Sequence, residues 1–383
     1  MSLLVQQPLS LYIHIPWCVQ KCPYCDFNSH GIKSALPEQA YTAALLKDLD
    51  DDIARFKLND RKLHSIFIGG GTPSLFSAKA IGEILAGVFA RFDHDSDIEV
   101  TLEANPGTVE ADKFKGFAQA GVSRLSIGIQ SFESDKLIKL GRIHDNQQAI
   151  RAAQFAKSCG VKSFNLDLMH GLPGQSLDAA MDDLAQAVAL EPDHLSWYQL
   201  TIEPNTAFGS KPPKLPADET LWDIQEQGVQ VLANAGFQQY EISAYSQAGK
   251  RSQHNINYWR FGDYLGIGCG AHGKITDLAS GEIYRTVKVK HPKGYLEADR
   301  PALDHLNTVG AEELPFEFMM NQLRLREAFD IARFSATTGL PTSAIAAPLA
   351  LAQSKGLLVN KGQEWQVSIL GHRYLNDLLE LFL

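Results

Sequence analysis

Between residue 11 and about residue 246, short β-branched runs alternate with longer amphipathic stretches, and this alternation restricts the fold more than any other feature of the chain. The strand-like runs are 11–15, 65–68, 98–103, 124–130, 163–169 and 194–202; the amphipathic stretches are 37–56, 78–92, 110–120, 146–158, 177–190 and 219–235. Parallel neighbours need a long crossover, and a helix after each strand supplies it. Such crossovers are right-handed, so six successive βα units curl the sheet into an open or closed α/β barrel. The expected fold class is α/β, a partial (βα)6 TIM-like barrel over residues 1–246.

After residue 247 the pattern changes. His254-Asn255-Ile256-Asn257-Tyr258-Trp259 precedes a glycine-rich run, Gly266-Ile267-Gly268-Cys269-Gly270-Ala271-His272-Gly273. Residues 247–306 are expected to form strand and loop covering one barrel edge. From 307 to 383 the chain reads as a mainly helical, winged-helix-like domain, with a short hairpin at 357–359 and 365–367 and a last helix at 370–383. Winged helices commonly bind DNA, but a net charge of -9 does not favour the basic face that displaces phosphate counterions. A structural or partner-docking role is expected there, with no nucleic-acid partner.

In an α/β barrel the ligand site gathers at the carboxyl ends of the strands. Those ends carry Gly69-Gly70-Gly71-Thr72-Pro73-Ser74, Glu103-Ala104-Asn105, Gln130-Ser131-Phe132, Asp167 through His170-Gly171, and Glu203-Pro204-Asn205. The loop after the first strand carries Cys18, Cys22 and Cys25. Cubane [4Fe–4S] clusters are usually held by four thiolates, so three leave one iron open to a non-protein ligand. A closed zinc site would need His14 or His30 as a fourth ligand. A disulfide framework suits short secreted chains, whereas this one has 5 cysteines in 383 residues, an odd count. Cys159 and Cys269 read as small buried hydrophobes.

The other residues have plainer readings too. The glycine triplet is neither a G-x-G-x-x-G loop nor a P-loop, and by itself describes a tight turn. Glu103, Asp167 and Glu203 at strand ends also suit the acid and base of a barrel glycosidase. Arg142 could pair with a surface carboxylate, and Gln130 could cap a loop. The 45% hydrophobic content is enough for a sizeable core. The stretch 1–7 has no basic region, and no segment approaches 18 consecutive apolar residues, so the expectation is a cytoplasmic protein with reduced thiols and no transmembrane segment.

Cys-x3-Cys-x2-Cys after a first strand, with Gly-Gly-Thr-Pro after the second, resembles the radical S-adenosylmethionine (SAM) enzymes. In that superfamily three cysteines hold a [4Fe–4S] cluster whose fourth iron is chelated by SAM, and electron transfer cleaves SAM to a 5′-deoxyadenosyl radical. Segments 69–74, 103–108, 125–132, 140–144, 165–175 and 254–259 are similar to the oxygen-independent coproporphyrinogen III oxidase group and its haem-chaperone branch, HemW. The resemblance implies that Cys18, Cys22 and Cys25 bind the cluster. It also implies that Tyr12, Tyr24, Gly70, Gly71, Thr72, Glu103, Gln130, Arg142 and Asp167 contact SAM. Glu103 and Asp167 would meet ribose hydroxyls, Arg142 a carboxylate, and Tyr24 the adenine.

Two positions separate the branches. The oxidases carry a further cysteine two residues after the third, where this chain has Phe27. Residues 254–259 resemble the HNxxYW signature of the haem-chaperone branch, which implies haem near His254, Tyr258 and Trp259, with His170 and His272 as further candidates. The resemblance therefore implies a haem chaperone that passes haem to an acceptor such as a respiratory haem protein, with an electron donor for the cluster and transient contact with a membrane protein. Its alternatives are an oxygen-independent oxidase that decarboxylates propionates of coproporphyrinogen III, and a zinc-stabilised binding module.

Overall fold

The computed structural model describes residues 4–108 and 110–383, so the first three residues of the 1–7 stretch lie outside it. All six strand-like runs form strands: β1 (Leu9–Ile15), β2 (Lys62–Gly70), β3 (Asp93–Ala104), β4 (Arg124–Gln130), β5 (Ser163–His170) and β6 (His194–Gln199). They pair parallel in chain order. β1 is buried at six of its seven positions: Leu9, Leu11, Ile13 and Ile15 pack in the core, and Ser10, Tyr12 and His14 alternate with them on the other face.

The crossover helices are α1 (Glu38–Phe56), α2 (Ala78–Phe89), α3 (Ala111–Gln119), α4 (Asn146–Ser158), α5 (Leu177–Ala189) and α6 (Asp218–Asn234). Local chemistry fixes several starts. Ser77 and Ser176 accept hydrogen bonds from backbone N–H groups of the first turns of α2 and α5, and Asp145 and Gln148 form a reciprocal capping box on α4. Each cap contributes about 1 kcal/mol. The buried faces of these helices, with Leu45, Ile84, Ala152 and Leu184, pack with Ile13, Ile68, Leu102 and Leu166 of the sheet in one core.

Beyond β6 the sheet continues through β7 (Gln238–Gln239) and β8 (Ala244–Ser246), both antiparallel. Residues 254–259, expected as strand and loop, are instead helical: α7 spans Gln253–Trp259. The Ser252 hydroxyl caps it through Asn255 N, and Glu99 on β3 accepts from the backbone N–H groups of Gln253 and His254. A carboxylate so distant in sequence stabilises a helix start that the β-branched and aromatic content of the segment conceals.

The glycine-rich stretch covers the β1 edge as strand. β9 (Asp263–Ile267) pairs parallel with β1, and β10 (His272–Asp277), β11 (Glu282–Lys288) and β12 (Leu303–Thr308) follow antiparallel. The described residues thus form a twelve-stranded sheet in the order β12-β11-β10-β9-β1-β2-β3-β4-β5-β6-β8-β7, which remains open.

The C-terminal region has its own core around Phe318, Phe334, Leu349 and Trp365. It combines the helices Leu314–Gln322, Ile331–Thr338 and Ser343–Ser354 with the expected hairpin, Leu358–Lys361 and Glu364–Val367. Residues 370–383, expected as one helix, form two, Ile369–Arg373 and Leu375–Glu380, because Tyr374 leaves helical backbone geometry at φ -115 and ψ 48. A bidentate ion pair from Arg260 to Glu327, 2.7 Å on each arm, joins this region to the end of α7.

Candidate cofactor site

At the carboxyl ends of β2 to β6 lies a cavity of about 530 Å3. Cys18, Cys22, Cys25, Tyr24, Gly70, Gly71, Thr72, Glu103, Gln130, Arg142 and Asp167 all line it, so the topology brings together the cysteines and every SAM-assigned residue except Tyr12. Tyr12, His254 and Tyr258 line a second cavity of about 750 Å3, which shares Phe27, Ser29, Gly70 and Glu103 with the first. Trp259 faces the first cavity, its ring perpendicular to that of Tyr258 at 4.8 Å and covered by the Arg324 guanidinium at 4.3 Å. The HNxxYW residues therefore divide between two cavities.

The glycines explain how the backbone comes so close. Gly70 has φ +111, and a Cβ there would sit 2.4 Å from the His14 ring; at Gly71 it would sit 2.6 Å from the Trp17 carbonyl. Only glycine leaves this cradle clear. Beside it, Gly70 N donates to Glu103 Oε2 at 3.0 Å. Gln130 also has a left-handed backbone, φ +68, where the β4–β5 register shifts, and its side-chain oxygen accepts from Tyr198 at 2.9 Å. A left-handed non-glycine residue costs about 1–2 kcal/mol and persists where surrounding structure holds it.

The wall carries poised polar groups. Burial, with the Asp167 carboxylate nearby, pushes the Glu103 carboxyl up to about 8 against the Gly70 hydrogen bond, so it keeps its proton at neutral pH. Burial also raises Asp167, opposed by hydrogen bonds from Asn165 at 2.8 Å and Ser126 at 3.0 Å. Arg142 donates to Gly128 O at 2.6 Å and reaches Cys22 Sγ at 3.8 Å, while its Nε is buried without a protein partner among the described residues. Burial raises the Cys18 and Cys25 thiols.

All five cysteines are free, and Cys159 and Cys269 are buried. Among the described residues no three Cys, His, Asp or Glu side chains close on a point where a single ion would sit. His14 uses both ring nitrogens, one with the Tyr12 hydroxyl and one with Asn28 O, each at 2.8 Å, and His30 Nε2 meets Lys290 O at 3.2 Å. His14 thus has no free nitrogen for a fourth zinc ligand. Glu203 does not line the cavity, and His170 is buried against the Trp197 ring at 4.2 Å.

Three thiols at a cavity with a glycine cradle, an unmet guanidinium donor and a fourth coordination position left to a ligand fit a [4Fe–4S] cluster carrying SAM. Sequence reasoning offered His14 only as a zinc ligand and missed Asn28 and Ser65; all three hold this architecture. The period-two spacing of Tyr12 and His14 on one strand face was a usable signal for the first; Asn28 and Ser65 had none.

The Radical SAM superfamily model matches residues 12–187, and the HemN C-terminal domain model matches residues 309–373. The chain is 58% identical over 378 residues to Heme chaperone HemW of Haemophilus influenzae, covering 98% of both chains. It is 57% identical over 376 residues to Heme chaperone HemW of Escherichia coli, again covering 98% of both. Its fold matches that of coproporphyrinogen III oxidase (HemN) from Escherichia coli, a radical SAM enzyme, with a TM-score of 0.82 at 22% identity, covering 98% of this chain and 90% of that one. With identity sustained over nearly the whole length, the chain belongs to the HemW family of radical SAM proteins.

Proposed function

We propose that this protein is a haem chaperone that binds a [4Fe–4S] cluster, SAM and haem, and passes haem to an acceptor haem protein. The observation that carries this reading is the near full-length identity to proteins named as haem chaperones. Phe27, 58% exposed on the wall between the two cavities, stands where the oxidases carry a further cysteine and counts against oxidase chemistry.

In this reading Cys18, Cys22 and Cys25 ligate the cluster, which with SAM supplies one-electron chemistry and an open iron when bound. Arg142 lies beside Cys22 and offers a cationic N–H donor to a carboxylate. Gly70 and Gly71 let the backbone approach SAM, with Thr72 beside them. The protonated Glu103 donates a hydrogen bond, and Asp167, oriented by Asn165 and Ser126, accepts one. Tyr24 and Gln130 flank this space; Tyr12 lies in the neighbouring cavity, which shares Glu103.

His254 is neutral, its imidazole lowered to about 3 by burial, and its Nδ1 lies 3.2 Å from the Ser65 hydroxyl. Tied to Ser65 through Nδ1, His254 lines the second cavity beside Tyr258. No helix among the described residues is long and apolar enough to cross a membrane. We place the protein in the cytoplasm, receiving electrons from a donor to its cluster and meeting acceptors such as respiratory haem proteins transiently.

The test is transfer: haem-loaded protein, freed of excess haem, is mixed with an apo-haem protein and the acceptor's Soret band is followed. Acceptor filling faster than from an albumin–haem control supports the reading, and filling no faster refutes it.

A further inference from the structure

We propose that the second cavity is the seat of the haem, with the propionates held by Lys21 and Lys290 and the iron facing His272. This deepens the haem-chaperone reading and rests on it. The cavity, about 750 Å3, lies against the outer face of the cysteine loop, between β1, β9 and α7. Tyr12, Phe27, Tyr258 and Tyr264 give it aromatic walls, which suit a flat macrocycle.

Four imidazoles line it, and their hydrogen bonds sort them. His14 has both nitrogens engaged. His30 is bonded to Lys290 O and packs edge-on to His291 at 5.4 Å. His254 is only 8% exposed and tied to Ser65. His272, at the start of β10, is exposed, and its imidazole has no hydrogen-bond partner among the described residues. It is the imidazole most open to an incoming iron. Burial and the neighbouring Lys290 and Arg285 charges lower it from its ordinary value, keeping it neutral as a ligand must be.

The charge of the cavity also suits a dicarboxylate. Lys21 donates to Phe27 O at 3.1 Å, and neither Lys21 nor Lys290 pairs with a carboxylate among the described residues. Two acids line the wall: Asp26, exposed, and Glu103, which keeps its proton at neutral pH. Two lysines against Asp26 as the one exposed acid leave a positive surplus for a ligand with two propionates.

Full-length protein, reconstituted with its cluster, is titrated anaerobically with haem, haem dimethyl ester and metal-free protoporphyrin IX, following the Soret band. The variants are Lys21→Gln with Lys290→Gln, His272→Ala and His254→Ala, each checked for unchanged circular dichroism and cluster absorbance. The lysine pair is expected to weaken haem binding roughly tenfold and leave the ester unaffected. His272→Ala should remove the imidazole-ligated haem spectrum and spare metal-free porphyrin. If wild-type protein binds haem and all variants bind it alike, the haem lies elsewhere while the chaperone reading stands. Loss of the imidazole spectrum in His254→Ala but not His272→Ala overturns the ligand assignment. A wild-type protein that takes up no haem overturns the chaperone reading itself.

Discussion

Substituting Gly70 by alanine tests the architecture of the site at its tightest point. The new Cβ would lie 2.4, 2.6 and 2.7 Å from three atoms of the His14 ring, and the backbone there holds φ +111. The ring cannot step aside without losing its bonds to the Tyr12 hydroxyl and Asn28 O, each 2.8 Å long. A left-handed alanine costs about 1–2 kcal/mol and two lost hydrogen bonds about 1 kcal/mol each, so Gly70→Ala should destabilise the apoprotein by about 3–4 kcal/mol. Asn28 follows Cys25 by three residues, so the cysteine loop loses its anchor and iron content after reconstitution should fall too. Urea unfolding reads the first effect and iron analysis the second. The double variant Gly70→Ala with His14→Ala isolates the cause: relative to His14→Ala alone, the glycine change should then cost only its backbone share, about 1–2 kcal/mol. An unchanged urea midpoint with full iron in Gly70→Ala, or the same cost with and without His14, would refute the reasoning.

Other perturbations have equally defined outcomes. Replacing Cys18, Cys22 and Cys25 together by alanine should abolish cluster absorbance after anaerobic reconstitution, and a retained cluster would refute the ligand assignment. Glu103 is raised from 4.5 to about 8, so the folded apoprotein holds a proton that the unfolded chain has lost; stability falls as pH rises from about 4.5 to 8, by at most about 5 kcal/mol. Glu103→Gln should flatten that fall, and thermal midpoints between pH 5 and 9 that drop equally in both proteins would contradict it. Lys288 is buried with Asp48 at 2.5 Å and Asp52 at 2.7 Å, and Lys288→Ala leaves those carboxylates without their cation. A loss of about 3–5 kcal/mol in urea is expected, and one below about 1 kcal/mol would be inconsistent with that role.

The parallel strands were legible because each is a short β-branched run followed by an amphipathic stretch, and the chain grammar of βα units leaves little freedom. What escaped depends on long-range partners. α7 is started by Glu99 from another strand, and β10 can lie close against β9 because of Gly266, where a Cβ would lie 1.9 Å from the His272 carbonyl oxygen. Glycine in a strand reads locally as a break, yet here it permits close backbone approach. Within the site, strand-end position identified Glu103, Gln130 and Asp167 as cavity residues. The resemblance grouped Tyr12 with them, but in β1 its side chain opens onto the neighbouring cavity. It likewise grouped Tyr258 with Trp259, which a single helical turn directs to different cavities. The Lys21 and Lys290 pairing had no sequence signal, since the two meet only through the fold.

The most direct measurement divides one anaerobically reconstituted preparation in two. One half receives haem; the other receives SAM, a reductant and coproporphyrinogen III. Stoichiometric haem uptake in the first half with no protoporphyrinogen in the second is the result expected of a haem chaperone with Phe27 at its cluster loop. Turnover to protoporphyrinogen, without haem uptake, would contradict it and assign the oxidase reaction to this chain.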